Sequence, residues 1–515
     1  MTIERPVLDS SVDEMKRDPK QVIVAGAGPA GLAAAYELCK LGATVDVFEK
    51  DHLVGGLART EQHNGYRFDM GGHRFFTKVP DVQAFWREVL GSSFLRRPRL
   101  SRIYYEGKYF QYPLKPWNAL SRLGIYQAVR VGLSYLKWQV RPHRAEETFE
   151  QWVTNRFGRR LFLLFFRAYT EKVWGVPCSE LKAEWAAQRI KDLSLRSAVM
   201  SMLLRPRHTI KTLIEEFDYP RLGPGMMWEA VTERVRQHGN RVTLNAPIVR
   251  FEREGRRIVA AVVSEGGQER RVVGTDYVSS MPITELVAKL VPPAPDEVLE
   301  AATKLTYRSF LTVCLIVDEA EMFPDNWIYV HEPQVRVGRI QNYKNWSPDM
   351  VADPSKSGIG MEYFCDEGDE LWRTDDAELI EMAQRELEEI RLAPSARIVD
   401  GCVFRMPKAY PVYDATYDTH LRRLRDFLAE MENLQTIGRN GLHRYDNQDH
   451  AMMTGMMAAR NIVFGENHDV WAVNTDQEYH EEILEEVPVS KVDYAGDDGT
   501  GQRAALRDVP ASQES

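Results

Sequence analysis

Gly26, Gly28 and Gly31 stand in the run Gly26-Ala27-Gly28-Pro29-Ala30-Gly31, a spacing at which three glycines meet three different geometric needs. The first admits a tight turn, the second lets backbone approach a pyrophosphate, and the third lets a following helix pack close to a strand. Roughly 20 residues later Glu49 is placed to accept hydrogen bonds from a ribose 2′-OH. Farther along, Arg99, Arg189, Arg339 and Arg439 are scattered among Tyr112, Tyr329, Tyr410 and Tyr445. Arginine grips phosphate in a bidentate fork and tyrosine hydroxyls donate to phosphate oxygens. Brought together, such a set suits the diphosphate of a nucleotide-sugar better than an apolar amine or a porphyrin. Taken singly, each arginine reads more simply as a surface ion-pair partner. The sequence offers no Ser/His/Asp set, metal-ligand cluster or carboxylate dyad. The hard chemistry is therefore expected from a cofactor, with the protein supplying position and electrostatics.

These residues need elements to position them. Val22-Ile23-Val24-Ala25 is wholly apolar, as a central parallel strand buried on both faces would be. A helix is predicted over Leu32–Leu41, ended by Gly42, and a second strand over Thr44–Phe48 runs into Glu49. Together these read as a dinucleotide-binding βαβ unit. Val54-Gly55-Gly56-Leu57-Ala58-Arg59-Thr60 follows, and this glycine pair with its arginine is the pattern that extends the site in FAD proteins. Gly71-Gly72-His73 reads as backbone brought close to something flat, or as a plain turn. Ile103–Tyr105 and Tyr109–Tyr112 flank the hairpin turn Glu106-Gly107-Lys108. From Trp117 to about Met202 the pattern is helical, and Trp185 and Arg189, four apart, would share a helix face. Leu161–Phe166 is too short to span a bilayer; it reads as a core segment, with peripheral membrane contact as the other reading. Strands are expected at Val242–Glu252, Arg257–Ser264, Tyr277–Ser280, Phe310–Val317, Trp327–Val330, Arg339–Tyr343, Gly360–Phe364, Gly401–Tyr413 and Leu434–Gly438. Asp375–Leu392 reads as an acid-rich solvated helix, Arg439–His450 as a polar loop and Ala451–Phe464 as a helix.

The 515 residues carry a net charge of −9, which disfavours wholesale binding to nucleic acid or to an anionic membrane, so an anionic ligand needs a local arginine cluster. Five scattered cysteines without metal spacing read as reduced thiols, and the polar N-terminus is no signal peptide, so a cytoplasmic location is expected. No internal repeat appears.

In Gly26–Gly31, in Gly71-Gly72-His73 and above all in Gly438-Arg439-Asn440-Gly441-Leu442-His443-Arg444-Tyr445-Asp446-Asn447-Gln448-Asp449-His450, the chain resembles UDP-galactopyranose mutases of the eukaryotic type. These lie within the wider flavin amine oxidase and protoporphyrinogen oxidase superfamily. The resemblance spans about residues 20–465. It implies a flavin-dependent pyranose–furanose mutase of nucleotide-sugars, UDP-galactose by default. There N5 of reduced FAD attacks the sugar C1 in a redox-neutral ring contraction, and NADPH reduces the flavin occasionally. Among catalytic positions it matches His73, whose loop would lie against the flavin N5 edge. It also matches Arg189 and Arg339, which would grip the diphosphate. Trp327 and Tyr329 match an aromatic pair beside the phosphates, Tyr410 and Tyr445 match phosphate-binding tyrosines, and Tyr112, Trp174 and Asn345 complete the substrate set. FAD would be held by Gly26, Gly28, Pro29, Ala30, Gly31, Glu49, Lys50, Gly56, Leu57, Ala58, Arg59, Gly71, Gly72, His73, Gly438, Arg439, Asn447 and Gln448. Arg99 and Ser101 match positions that hold NADPH. The chain departs from the pattern at Leu114-Lys115-Pro116, where the uridine pocket has Gln-Asn, and at Thr170, where an asparagine is usual; another base or sugar stays open. An FAD-dependent oxidase or desaturase of the wider superfamily is the alternative.

The expected architecture is α/β: a Rossmann-like FAD-binding domain with a mixed-sheet substrate domain and a helical insertion. Its FAD-binding segments are 21–95, 216–290 and 421–470. A substrate-domain hairpin at 96–116 and the substrate domain at 291–420 flank the helical insertion at 117–215. A disordered arm at 1–20 and an acidic, partly disordered tail at 471–515 close the list.

Overall fold

A parallel five-stranded sheet forms around the first apolar run. The computed structural model describes residues 20–112, 114, 116–183, 216–392 and 398–474. The sheet's strands lie in the order Leu434–Thr436, Asp276–Ser279, Gln21–Ala25, Thr44–Phe48 and Arg241–Thr243, all parallel. Val22, Ile23 and Val24 are buried because helices cover both faces of a parallel sheet. The helix Pro29–Lys40 starts at the glycine loop, and Gly42 follows it with φ +83°. A second helix, Gln448–Phe464, lies against the first so closely that a Cβ at Gly455 would stand 2.3 Å from the Ala30 carbonyl oxygen. Chain ends far apart in sequence thus meet on one sheet.

The segment Val242–Glu252, expected as one strand, is two. Arg241–Thr243 edges the parallel sheet and Ile248–Glu254 enters a separate four-stranded sheet. Asn245, at φ +52°, turns the chain between them just before Pro247.

The third layer is a mixed seven-stranded sheet. Its order is Ile398–Pro411, Tyr307–Val317, Ser357–Cys365, Arg339–Asn342, Trp327–Val330, Ser101–Tyr105 and Lys108–Gln111. The last two strands form the expected hairpin, with Glu106 and Gly107 both at positive φ, the backbone of a tight two-residue turn. Helices occupy much of 116–174 and build an aromatic core with this sheet. Phe162–Phe166 makes a π-helical turn in which Phe162, Leu164 and Phe165 are buried, so this run is core and not a membrane-facing surface. The molecule is therefore α/β, with a Rossmann-like sheet, a mixed sheet and inserted helices, as the sequence patterns suggest. Trp185, Arg189, Lys115, the N-terminal arm to residue 19 and the tail from residue 475 lie outside the described residues. Among the described residues no helix is long and apolar enough to cross a membrane.

Candidate active site

Parallel strands all end at the same edge of their sheet, and a cavity of about 400 Å³ opens there. The residues that follow four of these strands line it: Gly26, Glu49, Ser280 and Gly438. Gly26 turns at φ +100°, donating its N–H to the Phe48 carbonyl at 2.8 Å. Gly31 permits the close approach of helix to loop, since a Cβ there would lie 1.9 Å from the Gly26 carbonyl oxygen. Gly28 and Gly56 face each other: a Cβ on Gly56 would come within 3.2 Å of the Gly28 Cα. The helix Pro29–Lys40 has Gly28 as N-cap, with no side chain capping its first N–H groups and no acid in its first turn. Such an open helix start, bounded by bare backbone, accommodates an anion. At the next strand end, Glu49 is buried and accepts from Ala27 N at 2.6 Å and Asp51 N at 3.0 Å. Burial raises its carboxyl pKa more than these two donors lower it.

The other end of the cavity is built by the loop Gly71-Gly72-His73, the mixed sheet and the segment after Thr436. His73 Nε2 donates to the Met70 carbonyl at 2.9 Å, so Nδ1 is left as the acceptor. Burial, then the positive charges of Arg439 and Arg339, lowers this imidazole to about 4. Arg339 enters from its strand and pairs through two N–H groups with one oxygen of Glu362, which is fully buried; the other oxygen accepts from Gln341 at 2.7 Å. The Arg339 charge is therefore already matched. Arg439 is different. Its guanidinium lies 4.1 Å from the Tyr445 ring centroid and 4.9 Å from that of Tyr410, and those two rings stack at 5.7 Å. Among the described residues it pairs with no carboxylate; its Nη1 donates to the Asp446 carbonyl at 3.3 Å, and its buried Nε has no partner. Burial pushes the Tyr410 phenol up to about 12, so it stays a hydrogen-bond donor at neutral pH. Trp174 packs edge-on against Tyr410 at 6.1 Å.

The cavity gathers seventeen of the eighteen positions matched to FAD; Gly31 stands behind the wall as packing. It also gathers His73, Arg339, Tyr410 and Tyr445. It does not gather Tyr112, Trp327, Tyr329, Asn345, Arg99 or Ser101. Asn345 spends its amide on the Phe323 and Asp325 carbonyls at 2.7 and 2.9 Å, a structural role. Arg99 lies 5.6 Å from the ring centroids of both Tyr112 and Trp327, and Tyr112 packs on Tyr329 at 4.8 Å. These form a second, aromatic cluster beside the mixed sheet. The segment Arg439–His450, expected as a polar loop, is irregular only over 442–447, and most of it is buried. Gly438–Gly441 is a helical turn, the long helix starts at Gln448, and His443, Asp446, Gln448, Asp449 and His450 are all buried. Sequence reading missed Ser280, Glu285, Lys289 and Lys408 on the cavity wall. The rule that ligands sit beyond the carboxyl ends of parallel strands marks Ser280; nothing local marks the lysines.

The pattern of a flavin-containing amine oxidoreductase matches residues 29–463. The chain belongs to that family. Its sequence relatives include an L-amino-acid oxidase of Sistrurus catenatus edwardsii, 24% identical over 319 residues, a match that spans 57% of each chain. Another L-amino-acid oxidase, from Demansia vestigiata, is 23% identical over 76% of this chain and 75% of its own. Protoporphyrinogen oxidase 2 of Arabidopsis thaliana is 46% identical over 63 residues, 12% of each chain. Among solved structures, reduced UDP-galactopyranose mutase superposes with a TM-score of 0.77 at 20% identity, covering 89% of this chain and 98% of its own. A putrescine oxidase with putrescine bound gives 0.56 at 17% identity, covering 87% and 99%. At such identities these structures share the fold.

Membership of this family implies a flavin, and the cavity fits FAD. It offers an uncapped helix start for a pyrophosphate, Glu49 at the next strand end for a ribose, and the bare backbone of Gly71-Gly72 at its other end for a ring system. The flavoprotein's buried ionisable groups also predict its acid sensitivity. His331 and His443 are held, mainly by burial, at about 3 and about 4, as His73 is at about 4. As pH falls from 6.5, the unfolded chain takes up protons at these three sites that the folded chain refuses, so stability is lost down to about pH 4. Asp69, raised by burial to about 7, acts in the opposite sense, because its folded form binds a proton that the unfolded form still lacks. Glu49 and Asp446, whose carboxyls burial also raises, act with Asp69. The urea midpoint of Asp69→Asn should therefore fall between pH 7 and pH 5 more steeply than that of the unchanged protein; equal slopes would contradict the assignment.

Proposed function

We propose that this flavoprotein is a nucleotide-sugar pyranose–furanose mutase, resembling UDP-galactopyranose mutase, with UDP-galactose the default substrate. The observation that carries the reading is the convergence of Arg339, Arg439, Tyr410 and Tyr445 on the cavity end that holds the Gly71-Gly72-His73 loop. Two guanidinium groups and two phenols in one wall suit linked phosphates, not the ammonium group of an amine substrate. The match in fold to reduced UDP-galactopyranose mutase supports it further.

The flavin, when bound, supplies the nucleophilic and redox-active centre that the side chains lack. The chain's residues do the rest. Arg439 and the phenols of Tyr410 and Tyr445 hold the diphosphate. Arg339 lends its remaining N–H groups, and Arg189 joins them in this reading. A leaving diphosphate kept within reach of the sugar returns as if the step were intramolecular. His73, neutral through the physiological range, stands in the cavity wall and would accept or relay a proton there. Ser101 would help hold NADPH with Arg99 for occasional reduction; its buried hydroxyl has no hydrogen-bond partner among the described residues.

The L-amino-acid oxidases among the sequence relatives favour a second reading, an FAD-dependent oxidase or desaturase. One assay separates the two. Dithionite-reduced protein is incubated anaerobically with UDP-galactofuranose. UDP-galactopyranose formed without net flavin oxidation is the expected result. Inertness toward every nucleotide-sugar, with stoichiometric oxygen uptake on an unphosphorylated amino acid or amine, would replace the mutase by the oxidase.

A further inference from the structure

Ile125, Tyr126, Val129, Leu133, Leu136 and Val140 are large apolar side chains on one 16-residue helix, Ile125–Val140. All six are exposed, from 55% at Val129 to 86% at Ile125. At about 100° per residue they share a single arc of roughly 100° running the length of the helix. Scattered surface hydrophobics are ordinary; a continuous stripe is not.

The opposite face fixes the helix on the protein. Val131 is buried there. Ser134 Oγ accepts from Arg160 N at 3.0 Å and the Arg160 guanidinium donates to Gln127 at 2.9 Å, while at the border of the stripe the Gln139 amide donates to the Asn155 carbonyl at 3.0 Å. A Cβ on Gly158 would sit 2.9 Å from the Tyr135 Cα. The outward direction of the stripe is thus set by packing.

Its electrostatic surroundings are one-sided. Between Glu106 and Glu146 the sequence contains no Asp or Glu, although the whole chain carries −9. The same interval holds Arg122, Arg130, Lys137, Arg141 and Arg144. Arg130 and Lys137 fall at one border of the arc, with Arg130 over the Tyr126 ring at 5.4 Å and Lys137 over Trp138 at 5.9 Å. Long basic side chains bordering an apolar stripe can keep their charges in water while their stems cover hydrocarbon.

We infer that the helix Ile125–Val140 docks this enzyme on an anionic lipid surface. The apolar arc lies at the boundary of headgroups and acyl chains, and Arg130, Lys137 and Arg141 reach the lipid phosphates. A helix of this length with two basic residues does not span a bilayer but suits the interface. Pairing with a second copy across a two-fold axis would bring the same acid-free basic borders together, which like charges oppose.

Flotation of the full-length flavoprotein with vesicles tests this. With phosphatidylglycerol and phosphatidylcholine in equal parts, the protein should float at low salt. With phosphatidylcholine alone, or at high salt, flotation should fall sharply. Leu133→Glu with Leu136→Glu should lower partitioning at least about tenfold while flavin content and thermal midpoint stay. Arg130→Gln with Lys137→Gln should cost about fivefold per charge on the anionic vesicles and little on neutral ones. Absence of flotation at low salt, equal flotation of wild type and both variants, or a solution mass that halves in the Leu133/Leu136 variant would each overturn the proposal, the last by assigning the stripe to a second copy.

Discussion

Gly31→Val should leave no soluble flavoprotein. Its Cβ would lie 1.9 Å from the Gly26 carbonyl oxygen and 3.1 Å from the Gly26 carbonyl carbon. Neither atom belongs to a flexible side chain. Relief requires moving the turn away from the helix Pro29–Lys40, and that turn is pinned on its other side by the Gly26 N–H to Phe48 and by Ser280, whose N–H and hydroxyl donate to the Ala25 carbonyl at 2.9 and 3.0 Å. The branched side chain would also press on Val24, in the middle of the parallel sheet. Overpacking in a yielding core costs about 1–3 kcal/mol. Here the obstacle is backbone at the crossing of strand, turn and helix, so the cost belongs at or beyond the top of that range, a large share of a domain's stability. The control is Gly42→Ala, at the end of the same helix, with open space around it and a positive φ. Only the left-handed backbone opposes that change, at a cost of about 1 kcal/mol. Soluble yield and visible flavin absorbance measure both. A Gly31→Val protein with normal flavin would mean that the crossing is looser than these distances require.

What the sequence disclosed follows from what kind of burial each segment has. Thr44–Phe48 and Trp327–Val330 have the bounds expected, because nearly every side chain in them faces protein and the apolar run ends where the strand ends. Val242–Glu252 misleads, since a run of β-formers does not say which sheet it joins; Asn245 and Pro247 were the visible breaks. Arg439–His450 misleads for a deeper reason. Asp446, Gln448 and Asp449 are polar because they stand at a cavity, yet composition cannot separate that from polarity facing water. The site shows the same division. Local backbone needs exposed the glycine loop and Glu49. Arg439, Tyr410 and Tyr445 could be picked by type, but their meeting depends on strand order, and by type alone they look no different from Arg99, Tyr112 and Tyr329, which belong to the other cluster. Glu362 carried a usable signal that was not read. It is the one charged residue in Ser357–Cys365, a strand buried from end to end, and a carboxylate in such a place needs a cation.

That cation is Arg339, and the pair sets two expectations of opposite sign. Glu362→Gln removes the charge that neutralises Arg339 while keeping an acceptor oxygen. Arg339→Ala removes the partner and leaves Glu362 buried with, among the described residues, Gln341 alone to bond it. Breaking a buried pair from either side costs about 3–5 kcal/mol, because one charge is then left in a low-dielectric setting. Both single variants should therefore unfold at markedly lower temperature. The double variant Arg339→Met, Glu362→Leu should recover much of the loss, since no isolated charge remains. Anion binding should separate the two. With Glu362→Gln, the full charge of Arg339 faces the cavity beside Arg439, so UDP should bind the folded protein more tightly. With Arg339→Ala, UDP should bind about tenfold or more weakly, the worth of a charge-assisted hydrogen bond, at unchanged flavin content. Calorimetry with UDP at a temperature where every variant is folded gives the comparison. If Arg339 only braces the mixed sheet, both singles will be unstable but neither will change UDP affinity, and the diphosphate grip then falls to Arg439 with Tyr410 and Tyr445.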